Sequence, residues 1–227
     1  MTGPLVSVVI PVHNGESHLV GALESVFAQD YDPLEVIVVD DGSTDATREV
    51  AESFSDVTCL SQERQGPSAA RNTGAAAAEG EFIAFLDADD RWLPEKLRLQ
   101  VGYHLAHPET GYTLTHQRLV IGEEGKSAPW LKAHLVENDH VGFFPSSLVV
   151  RREVFQTVGP YDPMITHGES ADWFARAKDM GIPYAIIPET LLHKTVHGEN
   201  MTHQVSRARS QVLRALKASM DRKRGSE

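Results

Sequence analysis

Cysteine is nearly absent: Cys59 is the only one in 227 residues, which excludes an intrachain disulfide framework and a multi-cysteine zinc site. No run of about eighteen apolar residues occurs, so no segment reads as a membrane-spanning helix. The opening stretch, MTGPLVSVVIPV, lacks the basic region and long apolar core of a secretory signal. A soluble, cytoplasmic protein without a transmembrane segment is the expectation. Basic charge is also scarce, with 21 Lys/Arg against 32 Asp/Glu and a net charge of −11. An acidic body is a poor surface for tracking phosphates, so no nucleic-acid partner is expected. No Gly-x-Gly-x-x-Gly follows the first strand signal, which tells against dinucleotide binding.

What basic charge there is gathers at the end. Residues 204–227 hold seven Lys/Arg and two acids, with Val212, Leu213, Leu216 and Met220 near helical spacing. The plain reading is a solvated terminal helix that frays after Lys223. The sharper reading is peripheral contact with an anionic membrane or a partner.

The first half alternates strand and helix signals. Residues 5–12 form an almost continuous apolar, β-branched run, as in a strand buried on both faces. Leu19, Leu23, Val26 and Phe27 repeat at helical spacing. A second buried run at 35–39 ends in Asp40-Asp41-Gly42-Ser43, and Asp45 is placed to cap a helix through Val50 and Phe54. Residues 57–60 read as a third strand, 68–78 as an Ala-rich helix, and 81–86 as a fourth strand leading into Asp87-Ala88-Asp89-Asp90. Pro94 suits the first turn of a helix to about His107. This order implies parallel strands with right-handed crossovers and a ligand crevice beyond their carboxyl ends. Beyond His107 the rhythm weakens: strands are expected at 112–121, 143–150 and 184–187, and helices at 152–158 and 169–180.

Three strand ends carry chemistry. Asp87 and Asp89 offer hard oxygen ligands for magnesium or manganese, or else form an acidic loop in which Asp89 or Asp90 caps the next helix. Asp41 can accept a hydrogen bond from the N3–H of uracil or thymine, or simply start a turn. Arg71, the one cation in QGPSAARNTGAA, suits a phosphate or a carboxylate.

VSVVIPVHNGESHL, VIVVDDGSTDAT, GPSAARNTG and FIAFLDADD together resemble the N-terminal half of family 2 glycosyltransferases, over roughly residues 5–105. The resemblance implies an α/β GT-A (Rossmann-like) fold, with a central mostly parallel sheet and a smaller mixed acceptor-side sheet. It divides the chain into a nucleotide-sugar-binding half (1–110), an acceptor-binding and catalytic half of the same compact domain (111–205), and a basic helix or tail (206–227). It implies inverting, metal-dependent transfer from a nucleotide-diphospho-sugar, UDP-linked by preference, with Mn2+ or Mg2+ as cofactor. The acceptor hydroxyl could belong to a glycan, a lipid-linked sugar, a peptide or a small molecule.

By the same resemblance Pro11, His13 and Glu16 border the donor, His13 standing where relatives often carry a stacking Tyr. Asp41 would read the pyrimidine, Arg71 would help hold the donor, Asp87 would face ribose or sugar, and Asp89 would ligate the metal. Relatives open a later helix with Glu-Asp, the Asp acting as general base. Here the matching pair is Glu169-Ser170, and Ser170 cannot be a carboxylate base. Asp172 is preferred as the base, with Glu169 the other candidate; their plainer roles are a salt bridge from Asp172 to Arg176 and a favourable charge at the helix start. In LLHKTVHGENMT, His197 would contact metal or diphosphate, with His193 behind it. Two rival readings stand beside this one. Ser170 favours a non-catalytic nucleotide-sugar-binding protein. A sugar nucleotidyltransferase would need a Gly- and Lys/Arg-rich loop that residues 11–16 lack.

Overall fold

In the computed structural model, residues 3–122, 138–165 and 169–196 are described. The chain runs β1 (Val6–Val12), α1 (Leu19–Phe27), β2 (Leu34–Asp41), α2 (Thr47–Glu52), β3 (Val57–Gln62), α3 (Pro67–Ala77), β4 (Phe82–Phe85), β5 (Arg91–Trp92) and α4 (Lys96–Ala106). It continues through β6 (Tyr112–Ile121), β7 (His140–Val141), a 3-10 turn (Pro145–Ser147), β8 (Val149–Arg151), α5 (Arg152–Val158), α6 (Glu169–Asp179) and β9 (Tyr184–Val196). The strands form one sheet in the order β3-β2-β1-β4-β8-β6-β9-β5, with β7 on β6.

Every residue of β1 is buried, because side chains alternate between two covered faces. Val6, Val8, Ile10 and Val12 meet Leu19 and Leu23 of α1 and Leu97 of α4. Val9 turns the other way, toward Ala70 of α3, Phe155 of α5 and Trp173 of α6. Each such aliphatic side chain contributes about 1.5–3 kcal/mol on burial. Gly74 lets α3 lie close on the sheet, since a Cβ there would sit 2.3 Å from Val9 Cγ1.

β1 to β4 are all parallel, and the chain reverses its direction of travel across the sheet between β1 and β4. Pro11 marks that point. β1 pairs with β4 only as far as Val9 and Phe85, and the Leu86 N–H closes the ladder on the Val9 carbonyl at 3.0 Å. Residues two apart in a strand share a side, so Pro11 turns its missing N–H toward β4 where pairing has already ended. The proline therefore costs no ladder hydrogen bond there.

The second half departs from expectation in several places. Its strands extend the same sheet instead of building a smaller one. Residues 143–150 are not a continuous strand, because Pro145 opens a 3-10 turn and only Val149–Arg151 pairs with β4. β9 runs far past residue 187, and it keeps Pro188 and Glu189 by bulging out of register against Thr115 and His116. Two-residue β5 has no pattern of its own and exists through its pairing with His193 and Leu192.

His104 of α4 is fully buried beneath β6. Its Nδ1 faces the Thr110 carbonyl at 3.2 Å, and its Nε2 faces the Thr113 hydroxyl at 3.3 Å and the Val149 carbonyl at 3.4 Å. Burial lowers its pKa to about 4. The unfolded chain binds a proton near the ordinary value while the fold does not, so stability is present above about pH 6.5 and declines toward pH 4. Urea unfolding across that range is expected to lose on the order of 3 kcal/mol from this group. His104→Gln should flatten the acid limb by one proton's slope; an unchanged slope would contradict a buried neutral ring.

Candidate active site

The carboxyl ends of β1, β2 and β4 lie on one edge of the sheet, and α3 ties them together. Asp41, at the end of β2, is 3% exposed. Its Oδ1 accepts from Gln62 Nε2 at 2.7 Å and the Gln65 N–H at 2.8 Å, and its Oδ2 from the Gly66 N–H at 2.7 Å. Gly66 has φ of 92°, a conformation that glycine adopts without strain, and directly precedes α3. A carboxylate at this helix start is also favoured by the helix dipole.

One turn along α3, Arg71 is 4% exposed and spans to two other elements. Its Nη2 donates to Asp87 Oδ1 at 2.6 Å, and its Nη1 to Glu169 Oε1 of α6 at 2.9 Å. The guanidinium also lies over the Tyr161 ring, 5.8 Å from its centre. Of the two partners the sequence left open for Arg71, phosphate or carboxylate, the structure fills both arms with carboxylates.

Beyond β4 the acidic turn is tightly satisfied. Asp90 is fully buried and accepts from the Ser146 hydroxyl at 2.7 Å, Lys194 Nζ at 3.0 Å and the Thr195 N–H at 3.1 Å. It is thus no helix cap; α4 begins after Glu95 with no side-chain cap. Lys194 also reaches Asp87 Oδ2 at 3.4 Å. Burial pushes the Asp87 carboxyl up, but Arg71 and Lys194 outweigh it and hold it well below the usual carboxylate range. Burial likewise opposes the Lys194 ammonium, yet Asp90, Asp87 and Asp89 keep it charged, far above the ordinary lysine value.

The remaining candidates have separate settings. His13 Nδ1 lies 3.0 Å from the Asp41 carbonyl, beside the end of β2. Glu16 reaches across to α2, its Oε2 accepting the Ala46 N–H at 2.8 Å. Asp172 does not join the cluster. It accepts from Arg176 Nε at 2.9 Å, and Arg176 donates onward to the carbonyls of Val158, Gly159 and Pro160. That makes the pair an anchor between α6 and the end of α5. His193 sits on β9, opposite Arg118 of β6, where burial lowers its pKa. His197 and the basic tail lie outside the described residues.

Sequence reasoning missed Lys194, Ser146 and the structural role of Asp90. Ser146 is placed by Pro145, and its hydroxyl also accepts the Asp87 N–H at 3.1 Å. For Lys194 the only available signal was strand alternation, which the bulge interrupts.

Asp87, Asp89 and Asp90 each present an oxygen within 4.8 Å of the others, a donor set suited to a hard divalent cation. Asp90 receives three hydrogen bonds of 2.7–3.1 Å, and Asp87 has Oδ1 on Arg71 and Oδ2 at a longer 3.4 Å from Lys194, so a cation would be held by Asp89 and by Asp87 Oδ2 in place of Lys194.

A doubly wound sheet whose reversal point carries carboxylates for a hard cation defines a class of α/β domain with its ligand site at that edge. Residues 7–159 match the model of glycosyl transferase family 2, and the chain belongs to that family. An uncharacterized glycosyltransferase of Nostoc sp. is 34% identical over 176 residues, 70% of this chain and 54% of the relative. The structure of S. aureus TarS 1-349 in complex with UDP is similar with a TM-score of 0.73 and 22% identity, covering 96% of this chain and 65% of that one. The mannosyltransferase PcManGT from Pyrobaculum calidifontis, in complex with GDP-Man and Mn2+, gives 0.71 and 24%, covering 98% of this chain and 65% of that one. The fold is therefore GT-A. The chain spans about half to two thirds of the length of these proteins.

Removing the guanidinium should strand two buried carboxylates. Arg71→Met is expected to lower stability by about 3–5 kcal/mol in urea unfolding. Arg71→Lys should recover only part of the loss, since an ammonium cannot match the two-armed geometry. Equal stability of all three proteins would contradict this role.

Proposed function

We propose that this chain is a glycosyltransferase that moves a sugar from a nucleotide-diphospho-sugar, UDP-linked by preference, to an acceptor hydroxyl with inversion. The observation that carries the reading is Arg71, which joins the acidic turn beyond β4 to the start of α6. Family membership supports the donor class, as do neighbours crystallised with UDP and with GDP-Man and Mn2+.

In this reading Pro11 and His13 border the nucleoside. Asp41 accepts the pyrimidine N3–H on Oδ2, which takes a single hydrogen bond among the described residues. Glu16 acts from the rim by fixing the start of α2. Asp89 and Asp87 would hold Mn2+ or Mg2+, which would supply a Lewis acid to stabilise charge on a diphosphate. Arg71 works by holding Asp87 and Glu169 in place. As the acceptor oxygen bonds to the anomeric carbon, the bond from that carbon to the diphosphate oxygen breaks on the opposite face. The hydroxyl proton passes to a carboxylate.

Of the two acids, each accepting from an arginine at 2.9 Å, Glu169 is chosen here on position: its partner Arg71 also holds Asp87 of the acidic turn, whereas Arg176, the partner of Asp172, anchors to the end of α5. The sequence alone preferred Asp172, with Glu169 the other candidate. His197 remains a proposed metal or diphosphate contact from its motif alone. The basic tail is proposed as a membrane or partner contact on the same footing. Ser170, standing where relatives carry the base, favours one second reading: a protein that binds nucleotide sugar without turning it over.

Calorimetry with UDP and Mn2+, followed by turnover on a panel of UDP- and GDP-sugars, tests the proposal. Binding of each ligand strengthened by the other, with transfer or slow donor hydrolysis, is expected. Glu169→Gln should cut turnover by about 10²–10⁴-fold, and Asp172→Asn should act mainly on stability. Near wild-type turnover in Glu169→Gln would overturn the assignment of the base. Tight binding with no turnover on any donor would favour the second reading.

A further inference from the structure

Lys194 has no assigned part in the chemistry above, yet it sits within the acidic cluster. β9 fixes its backbone twice over, pairing Lys194 with Leu119 of β6 while the adjacent His193 pairs with Arg91 of β5. The next residue, Thr195, donates its N–H to Asp90. The side chain is 14% exposed, its Nζ lying 3.0 Å from Asp90 Oδ2, 3.4 Å from Asp87 Oδ2 and 5.5 Å from the centre of the Phe144 ring. An ammonium thus already occupies carboxylate oxygens that belong to the donor set for a divalent cation.

We propose that Lys194 is a built-in counter-cation of this site, competing with the divalent cation and yielding it the carboxylates when a diphosphate arrives. This rests on the donor reading given above. Two cations cannot share Asp87 Oδ2 at contact distance without strong repulsion in a buried setting. A diphosphate supplies new anionic oxygens, and lysine, a point charge on a flexible four-carbon stem, can turn to them without movement of β9. Arg71 cannot make the same exchange, because both arms are fixed between two elements. The consequence is coupling: nucleotide strengthens metal binding, and metal strengthens nucleotide binding by the same factor. Phe144 offers the ammonium a ring face in its present position.

Mn2+ binding measured by electron paramagnetic resonance, without turnover, tests this directly. In the wild type, Mn2+ alone should bind weakly and UDP should tighten it. Lys194→Gln should bind Mn2+ alone at least about tenfold more tightly, equivalent to about 1.4 kcal/mol, and should lose most of the enhancement by UDP. Lys194→Arg, which keeps the charge, should stay near the wild type. Should Lys194→Gln fail to fold, Asp90→Asn combined with Lys194→Gln removes the cation and its most buried partner together. That double variant leaves Asp87 and Asp89 to the metal and should still bind Mn2+ more tightly than the wild type. Unchanged or weaker affinity for Mn2+ alone in the folded variants overturns the proposal, even if UDP binds normally. Absence of UDP binding in every protein would instead overturn the donor reading, while a gain of affinity for Mn2+ alone would still support competition by Lys194.

Discussion

One buried guanidinium organises the site. Arg71 lies on α3, and its two arms close on Asp87 beyond β4 and Glu169 at the head of α6. Burial penalises a charged group unless it is paired, and here two carboxylates more than offset that penalty, raising the arginine far above its ordinary value. The geometry requires α3 to lie close on the sheet, which Gly74 permits by packing directly on Val9. It also requires the helix to start at one place, which Asp41 enforces through Gln65 and Gly66. A residue that looks like a base reader in sequence is thus also the peg on which the arginine-bearing helix hangs.

A second network fixes the acidic turn from the other side. Asp90 gathers Ser146, Lys194 and Thr195, so the β4–β5 connection, the 3-10 turn and β9 meet on one buried carboxylate. Asp87 belongs to both networks, one oxygen on Arg71 and the other on Lys194. Such interlocking restricts the carboxylates to one arrangement. It also means that the acidic turn is no bare set of ligands: its charges are already answered in part by the protein's own cations.

The first half of the fold was legible because a parallel strand buried on both faces leaves a continuous apolar run in the sequence, and a Gly or Asp turn marks its end. Val6–Val12 and Leu34–Asp41 could be read that way, and the Ala-rich composition of residues 68–78 marked α3 as a helix. The second half was less legible for definite reasons. Pro188 and Glu189 sit inside β9 because they bulge out of its register, so the strand seemed to end near Ile187. Arg91 and Trp92 are a strand only because β9 passes beside them. Periodicity put Glu169 and Asp172 on one face of a helix, but which of them meets Arg71 depends on how α6 packs. Asp90 looked like a cap because its true partners, Ser146 and Lys194, are more than fifty residues away in the chain.

The most direct measurement is a crystal of the protein grown with UDP and Mn2+, with anomalous scattering recorded at the manganese edge. The account predicts a single strong peak within ligand distance of Asp89, on the edge where β1 and β4 part. The UDP diphosphate should lie beside it, with Arg71 still closed on Asp87 and Glu169. A manganese peak remote from Asp89, or a nucleotide bound away from the ends of β1, β2 and β4, would contradict it.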